Sequence, residues 1–141
     1  SLCTTNQGKI FEGMYGERKI IIKVAYKEYV SKSIAYNNKK INENIIKESK
    51  IMKYIYNKNI KKGFANIIFF IENKKNYYLG MYYCGNDMLN HINMLHKLIK
   101  YGELTIDMFK IHLKVLFKQL IWFVYKLHAI NVAHLDISIE N

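Results

Sequence analysis

The chain ends in the stretch HLDISIEN, residues 134–141, which spaces His134, Asp136 and Asn141 as H-x-D-x-x-x-x-N. A carboxylate can accept a proton, and a carboxamide oxygen can bind a hard cation such as magnesium. The same stretch also fits a polar turn after a helix, with Asp136 and Asn141 as solvated turn formers. The residues that precede it decide between these interpretations.

The composition fits a globular domain and argues against a nucleic-acid-binding one. Half of the 141 residues are apolar, which is ample for a core. The net charge is +11, but 21 of the 22 basic residues are Lys, whereas recognition of bases or phosphates favours Arg. We therefore expect a solvated lysine-rich surface and no specific nucleic-acid partner.

Cysteine content and hydropathy bear on the compartment. Cys3 and Cys84 are too few for a disulfide framework and fit a reducing environment. No stretch reaches the ~18 uncharged apolar residues that a spanning helix needs, and no signal pattern opens the chain. These features predict a soluble, intracellular protein without a transmembrane segment, and they give no indication of oligomeric state.

The first thirty residues have the pattern of strands and tight turns. We predict a short strand at residues 8–13, a turn at 15–17 and a second strand at 19–26 rich in Ile and Val. Alternation along the second strand places Lys23 on one face with apolar neighbours. Lys23 is either an edge-strand lysine that discourages aggregation or the partner of a carboxylate.

A helix is predicted from about residue 39 to residue 57. Its apolar stripe consists of Ile41, Ile45, Met52 and Ile55. Glu48 lies on that stripe, where an unpaired carboxylate would be costly. Either the stripe is rotated so that Glu48 lies at its edge, or Glu48 forms a buried ion pair, for which Lys23 is the obvious donor.

The remaining elements are a hairpin and two helices. Strands at 67–72 and 77–83 flank an Asn-Lys-Lys-Asn turn, a break follows at 84–87, and a short helix is predicted at 88–98. Thr105 is a credible N-cap for a long helix to about residue 128 that is apolar on more than one face and should be buried on more than one side. This order predicts an α+β fold, in which a small antiparallel sheet lobe with one embedded helix precedes a helical lobe.

This arrangement resembles the N-terminal half of a eukaryotic protein kinase catalytic domain. The catalytic-loop signature H-R-D-L-x-x-x-N matches at His134, Asp136 and Asn141. The V-A-I-K strand appears as IIIK ending at Lys23, and Glu48 corresponds to the helix glutamate that pairs with this lysine. The resemblance implies a sheet lobe at 1–83, a hinge at 84–87 and the start of a second lobe at 88–141.

The resemblance also implies cofactors and roles. It implies ATP and Mg²⁺ as cofactors and a protein substrate with a Ser or Thr hydroxyl. Asp136 would be catalytic by accepting the hydroxyl proton, Lys23 and Glu48 would position ATP, and Asn141 would bind magnesium. Gly8 would be the third glycine of the phosphate loop, with Ile10 in the valine place after it. The other implied nucleotide contacts are Met81 behind the adenine, the backbone of Tyr82 and Cys84 at its edge, and Asp87 at the ribose.

Among kinases, the chain is most similar to the FIKK class of apicomplexan parasites, whose catalytic loop reads HLDLTPEN and whose glycine loop is not intact. Here Cys3 and Thr5 occupy the first two glycine positions, so only Gly8 remains. Some FIKK kinases are exported to the host cell, but these residues contain no export signal. Leu135 replaces the arginine that in many kinases binds an activation-loop phosphate.

Two functional interpretations follow. The sequence given ends before any D-F-G motif, so we expect a kinase fragment that is inactive on its own. The alternative is a catalytically inactive kinase-like remnant that acts as a binding or scaffold module.

Overall fold

The structure, a computed structural model, describes residues 2–135 and 137–138. It has an α+β fold, with a five-stranded antiparallel sheet and four helices among these residues. The chain divides into two compact units, Ser1–Cys84 and Gly85–Asn141. The first unit holds the sheet and two helices, and the second holds the other two helices.

The sheet has a long strand at its centre. Its strand order is β1-β2-β3-β5-β4, so β3 pairs on both sides. Strand β2 is two residues longer than predicted and ends at a turn in which Gly16 takes a φ of 59°, a value that suits glycine. The strands are β1 Cys3–Thr4, β2 Gly8–Tyr15, β3 Arg18–Tyr26, β4 Ile67–Glu72 and β5 Asn76–Tyr82.

Two helices join β3 to β4, where one was predicted. The short helix α1 spans Lys27–Lys32 and ends at Ser33 in the left-handed conformation. The second, α2, spans Ile45–Asn57, so the prediction of a start near residue 39 is wrong. Asn44 sets the start, because it has an extended backbone and its side-chain oxygen accepts hydrogen bonds from the next turn.

The core of this unit lies between α2 and one face of the sheet. Ala25, Val30, Ile45 and Leu79 form its buried centre. On α2 the fully buried positions are Ile45 and Ser49, and Met52 packs against the same cluster. The buried stripe is therefore rotated relative to the predicted one, and Glu48 lies at its edge.

The second unit consists of α3, Met88–Lys100, and α4, Ile106–His128. The predicted N-cap is confirmed, because Thr105 Oγ1 accepts a hydrogen bond from the backbone N–H of Met108 at 3.2 Å. The helices meet through ring contacts of His91 with His112 and of His96 with Phe109. The opposite side of α4 is exposed, with Ile111, Phe117 and Ile121 each more than 60% exposed. The apolar pattern on more than one face of this helix is therefore covered on one side only among the described residues, as expected if these residues leave the helix half covered.

Among the residues the structure describes, none of the helices combines the length and hydropathy that a bilayer crossing requires.

Candidate functional site

Lys23 and Glu48 form an ion pair above the centre of the sheet. Lys23 Nζ lies 2.8 Å from Glu48 Oε2, and the two side chains are 23% and 36% exposed. The edge-strand interpretation of Lys23 is wrong, because Lys23 pairs with Ile10 on one side and with the fully buried Leu79 on the other. The pair is half-buried rather than fully buried, since water reaches the edge position of Glu48.

The start of α2 fixes the glutamate. Asn44 Oδ1 accepts hydrogen bonds from the backbone N–H groups of Ile46 and Lys47 at 3.0 and 3.1 Å. These bonds cap α2 and fix the residue at which the helix begins. Glu48 donates its backbone N–H to the carbonyl of Asn44 and so lies in the first turn. A carboxylate there is favoured by the positive end of the helix dipole.

The predicted nucleotide contacts Ile10 and Met81 share a sheet face with Lys23. Ile10 is the direct cross-strand partner of Lys23, and Met81 is the partner of Ile21, two residues before Lys23. Directly opposed residues of antiparallel strands point to the same side, and residues two apart do so as well. On this face of the sheet, Lys23 therefore has an aliphatic and a thioether side chain as neighbours.

Tyr82 is the last residue of β5, and Cys84 comes two residues after it. The backbone N–H of Tyr82 donates to the carbonyl of Asn66 at 3.1 Å, so its carbonyl is the group it can offer to an adenine edge. That carbonyl accepts a weak hydrogen bond from Cys84 Sγ at 3.5 Å. Partial shielding from water raises the pKa of the Cys84 thiol.

A second ion pair lies toward the same end of the sheet. Lys19 Nζ is 2.6 Å from Glu12 Oε1 and 4.5 Å from the centre of the Tyr83 ring. The hydrogen bond to Glu12 raises the pKa of Lys19. The backbone carbonyl of Lys19 also accepts from the N–H of Tyr83 at 3.1 Å, so β3 holds the segment that follows β5. Sequence reasoning missed this cluster, since only the register brings Glu12 and Lys19 together.

Close packing of β2 against β3 requires a glycine at position 8, independently of any phosphate contact. A Cβ added at Gly8 would lie 1.9 Å from the carbonyl oxygen of Val24 on the neighbouring strand. No side chain fits at that distance from backbone, so strand packing alone excludes other residues. The predicted phosphate contact of Gly8 stays a prediction beside this structural role.

Gln7, just before Gly8, is a second feature that the sequence did not reveal. Its side chain is only 3% exposed, and its amide nitrogen donates to the carbonyls of Tyr29 and Ile34 at 3.3 and 3.2 Å. These acceptors lie 22 and 27 residues away, so no local pattern identifies them. The only local hint of this burial in the sequence is the position of Gln7 immediately before Gly8, the first residue of β2.

The two thiols lie far apart on the sheet. Cys3 is opposite Ile10, and Ile10 is level with Lys23 and Leu79, which places Cys3 three strands from β5. Cys84 is five residues beyond Leu79. At ~4.8 Å per strand and ~3.3 Å per residue, the two cysteines are roughly 20 Å apart.

Asp87 belongs to the second unit and caps α3. Its carboxylate accepts from the backbone N–H and from the side-chain nitrogen of Asn90, both at 2.7 Å. An N-cap aspartate accounts for this residue without a ligand. Its predicted contact with a ribose stays a prediction.

The structure describes part of the stretch that was predicted to form a catalytic loop. Asp136 and Asn141, the predicted proton acceptor and magnesium ligand, lie outside the described residues. Leu135, immediately before Asp136, has a φ of 64° and is 93% exposed. A bulky side chain in this left-handed region is strained, and such strain occurs preferentially at functional sites.

No metal-binding cluster of three or more His, Cys, Asp or Glu side chains occurs within residues 2–135 and 137–138. The predicted magnesium ligand is not among these residues, so the magnesium prediction is untested.

Neither a scan against protein-family models nor a search of curated proteins found a match.

Proposed function

We propose that this chain is the nucleotide-binding part of a protein kinase domain similar to the FIKK class, and that the domain transfers a phosphoryl group from ATP·Mg²⁺ to a Ser or Thr hydroxyl. The observation that carries the proposal is the 2.8 Å contact between Lys23 on the central strand and Glu48 in the first turn of α2. These two residues are 25 apart in sequence, and the kinase resemblance pairs the same two.

The ion pair suits phosphate binding. An ammonium group has three N–H donors, and among the described residues Glu48 is the one hydrogen-bond partner of Lys23. The remaining donors can reach phosphate oxygens, while Glu48 keeps the long side chain in one conformation. Positioning and electrostatic stabilisation are what phosphoryl transfer requires of a protein.

The other catalytic roles rest on the sequence. Asp136 is proposed to accept the proton of the substrate hydroxyl, and Asn141 is proposed to hold magnesium on the nucleotide phosphates. The left-handed backbone at Leu135 supports a functional role for this stretch, because an exposed leucine gains nothing from that conformation by packing.

One observation favours the second candidate, an inactive kinase-like binding module. The turn that should approach the phosphates carries Thr5, Asn6 and Gln7 instead of a run of glycines, and Gln7 is anchored in the protein. Side chains in such a turn restrict how closely a phosphate can approach the backbone.

Titration of the chain with ATP·Mg²⁺ by calorimetry tests the proposal. Lys23→Met should weaken ATP binding about 10- to 100-fold, because a hydrogen bond to a charged group contributes ~1.5–3 kcal/mol. Lys27→Met is the matched control, since Lys27 also pairs with a glutamate, Glu72, at the sheet and has similar exposure. The control should bind ATP like the wild type.

A phosphotransfer assay on a Ser/Thr peptide adds the second arm. In any form of the protein that transfers phosphate, Asp136→Asn should lower kcat about 10²- to 10⁴-fold with little change in ATP affinity. If the wild-type chain does not bind ATP, or if Lys23→Met and Lys27→Met weaken it equally, the binding-module function replaces the kinase.

A further inference from the structure

The turn between β1 and β2 is tied to the rest of the sheet unit by hydrogen bonds from both its backbone and its side chains. The backbone N–H of Tyr26 donates to the carbonyl of Gln7, and that of Tyr36 donates to the carbonyl of Asn6, both at 2.9 Å. The amide side chain of Gln7 adds its two buried bonds to Tyr29 and Ile34. The three-residue turn is thus fixed by four hydrogen bonds to the end of β3, to α1 and to the segment after α1.

A fifth bond connects this turn to the helix that carries Glu48. Asn6 Nδ2 donates to Glu43 Oε1 at 2.7 Å, and Glu43 immediately precedes Asn44, the N-cap of α2. The turn, the start of α2 and the ion pair with Lys23 therefore belong to one set of contacts.

The register places the turn beside Lys23. Ala25, two residues after Lys23, pairs with Gly8, the first residue after the turn. Two residues of strand correspond to about 7 Å, so a phosphate group held by Lys23 is within reach of the turn backbone. The N–H of Thr5 closes the turn on the carbonyl of Gly8 at 2.9 Å, so an anion would be bound by the N–H groups that follow it. Consecutive backbone N–H groups in turns bind anions when their conformation is held.

We propose that Gln7 is a positioning residue of the nucleotide site, whose buried amide holds the β1–β2 turn ready for the phosphates before the nucleotide binds. The inference rests on the proposed nucleotide-binding function. In a glycine-rich loop the phosphate itself orders the backbone, at a cost in conformational entropy. Here Gln7 orders the turn in the free protein, which compensates for the side chains that replace two glycines. Binding to a preorganised turn avoids that ordering cost.

Two variants separate this role from general stability. Gln7→Met keeps the length and apolar contacts of the side chain but removes both donors. Asn73→Ala is the control, because Asn73 anchors the other hairpin turn by accepting from the backbone N–H groups of Lys75 and Asn76. Since Asn76 pairs with Tyr26, the control is read at Tyr36. Should Gln7→Met fail to fold, Asn6→Ala replaces it, since that variant removes only the exposed bond to Glu43.

The first readout is amide hydrogen exchange of Tyr26 and Tyr36, the N–H groups that donate into the turn. Protection of both should fall about tenfold or more in Gln7→Met, and protection of Tyr36 should stay unchanged in Asn73→Ala. Unchanged protection in Gln7→Met would overturn the anchoring role. This readout needs no nucleotide, so it is independent of the proposed function.

The second readout compares ATP·Mg²⁺ with adenosine, which lacks phosphates. Gln7→Met should bind ATP about tenfold more weakly and adenosine within about twofold of the wild type, because only the phosphates reach the turn. Equal loss for both ligands, or no loss for ATP, would overturn the positioning role. If the wild type binds neither ligand, the proposed function fails together with the nucleotide role of Gln7, while the exchange result still decides whether Gln7 anchors the turn.

Discussion

The ion pair between Lys23 and Glu48 predicts a measurable coupling free energy. The perturbations are Lys23→Met, Glu48→Gln and the double variant. At the observed 2.8 Å, Coulomb's law gives ~1.5 kcal/mol at the dielectric constant of water and ~6 kcal/mol at an effective value of about 20. Water reaches both groups and two long side chains lose freedom, so we expect a coupling of about 1–2 kcal/mol.

Burial also predicts which single variant is worse. Lys23 is 23% exposed and Glu48 is 36% exposed. Glu48→Gln leaves the more buried charge without its partner and should therefore destabilise the sheet unit more than Lys23→Met does. The double variant should cost less than the sum of the two single variants.

Amide hydrogen exchange of the β3 backbone measures this coupling within the sheet unit, separately from unfolding of α3 and α4. The Lys19–Glu12 pair is the comparison, because its partners are closer together but more exposed, at 44% and 38%. Its coupling should be smaller and should weaken more in high salt. Additivity of the Lys23 and Glu48 variants within about 0.3 kcal/mol would refute the reasoning.

Two further predictions concern steric fit and thiol chemistry. Gly80→Ala should lower the free energy of unfolding in urea by about 1–3 kcal/mol, because its Cβ would lie 2.4 Å from ring atoms of Phe69. Gly13→Ala is the control, since its Cβ would meet ordinary contacts at 3.4 Å. Equal stability of the two variants would contradict the prediction. In a Cys3→Ser background, alkylation of Cys84 should require a higher pH in the folded protein than in urea, because its raised pKa keeps the thiol protonated; coincident pH–rate profiles would exclude that shift.

The parts of the fold with a strong local period could be predicted from the sequence. Alternation in β3 placed Lys23 among apolar neighbours, and the cost of an unpaired carboxylate on α2 led to Glu48 as its partner. The N-cap at Thr105 was also readable, because a threonine preceded a long apolar helix pattern. Each of these features depends on residues within a few positions of one another or on a charge that needs a partner.

The features that the sequence did not predict correctly are the start of α2, the presence of α1 and the burial of Gln7. Helix α2 starts at Ile45 because Asn44 caps it, although Ile41 continues the apolar period. Helix α1 has six residues and is too short for a periodic signal to emerge. The burial of Gln7 is decided by carbonyl groups more than twenty residues away, which no window of sequence contains.

The close approach of Gly8 to Val24 has a consequence for judging divergent sequences. Because a Cβ at this position would lie 1.9 Å from the carbonyl oxygen of Val24, mutation away from glycine is selected against by folding alone. Gly8 should therefore persist whether or not a nucleotide binds, whereas folding constrains the partly solvated Lys23–Glu48 pair only by the coupling of about 1–2 kcal/mol expected above. Retention of the lysine and glutamate together is therefore more informative about a shared role of the pair than retention of the glycine is.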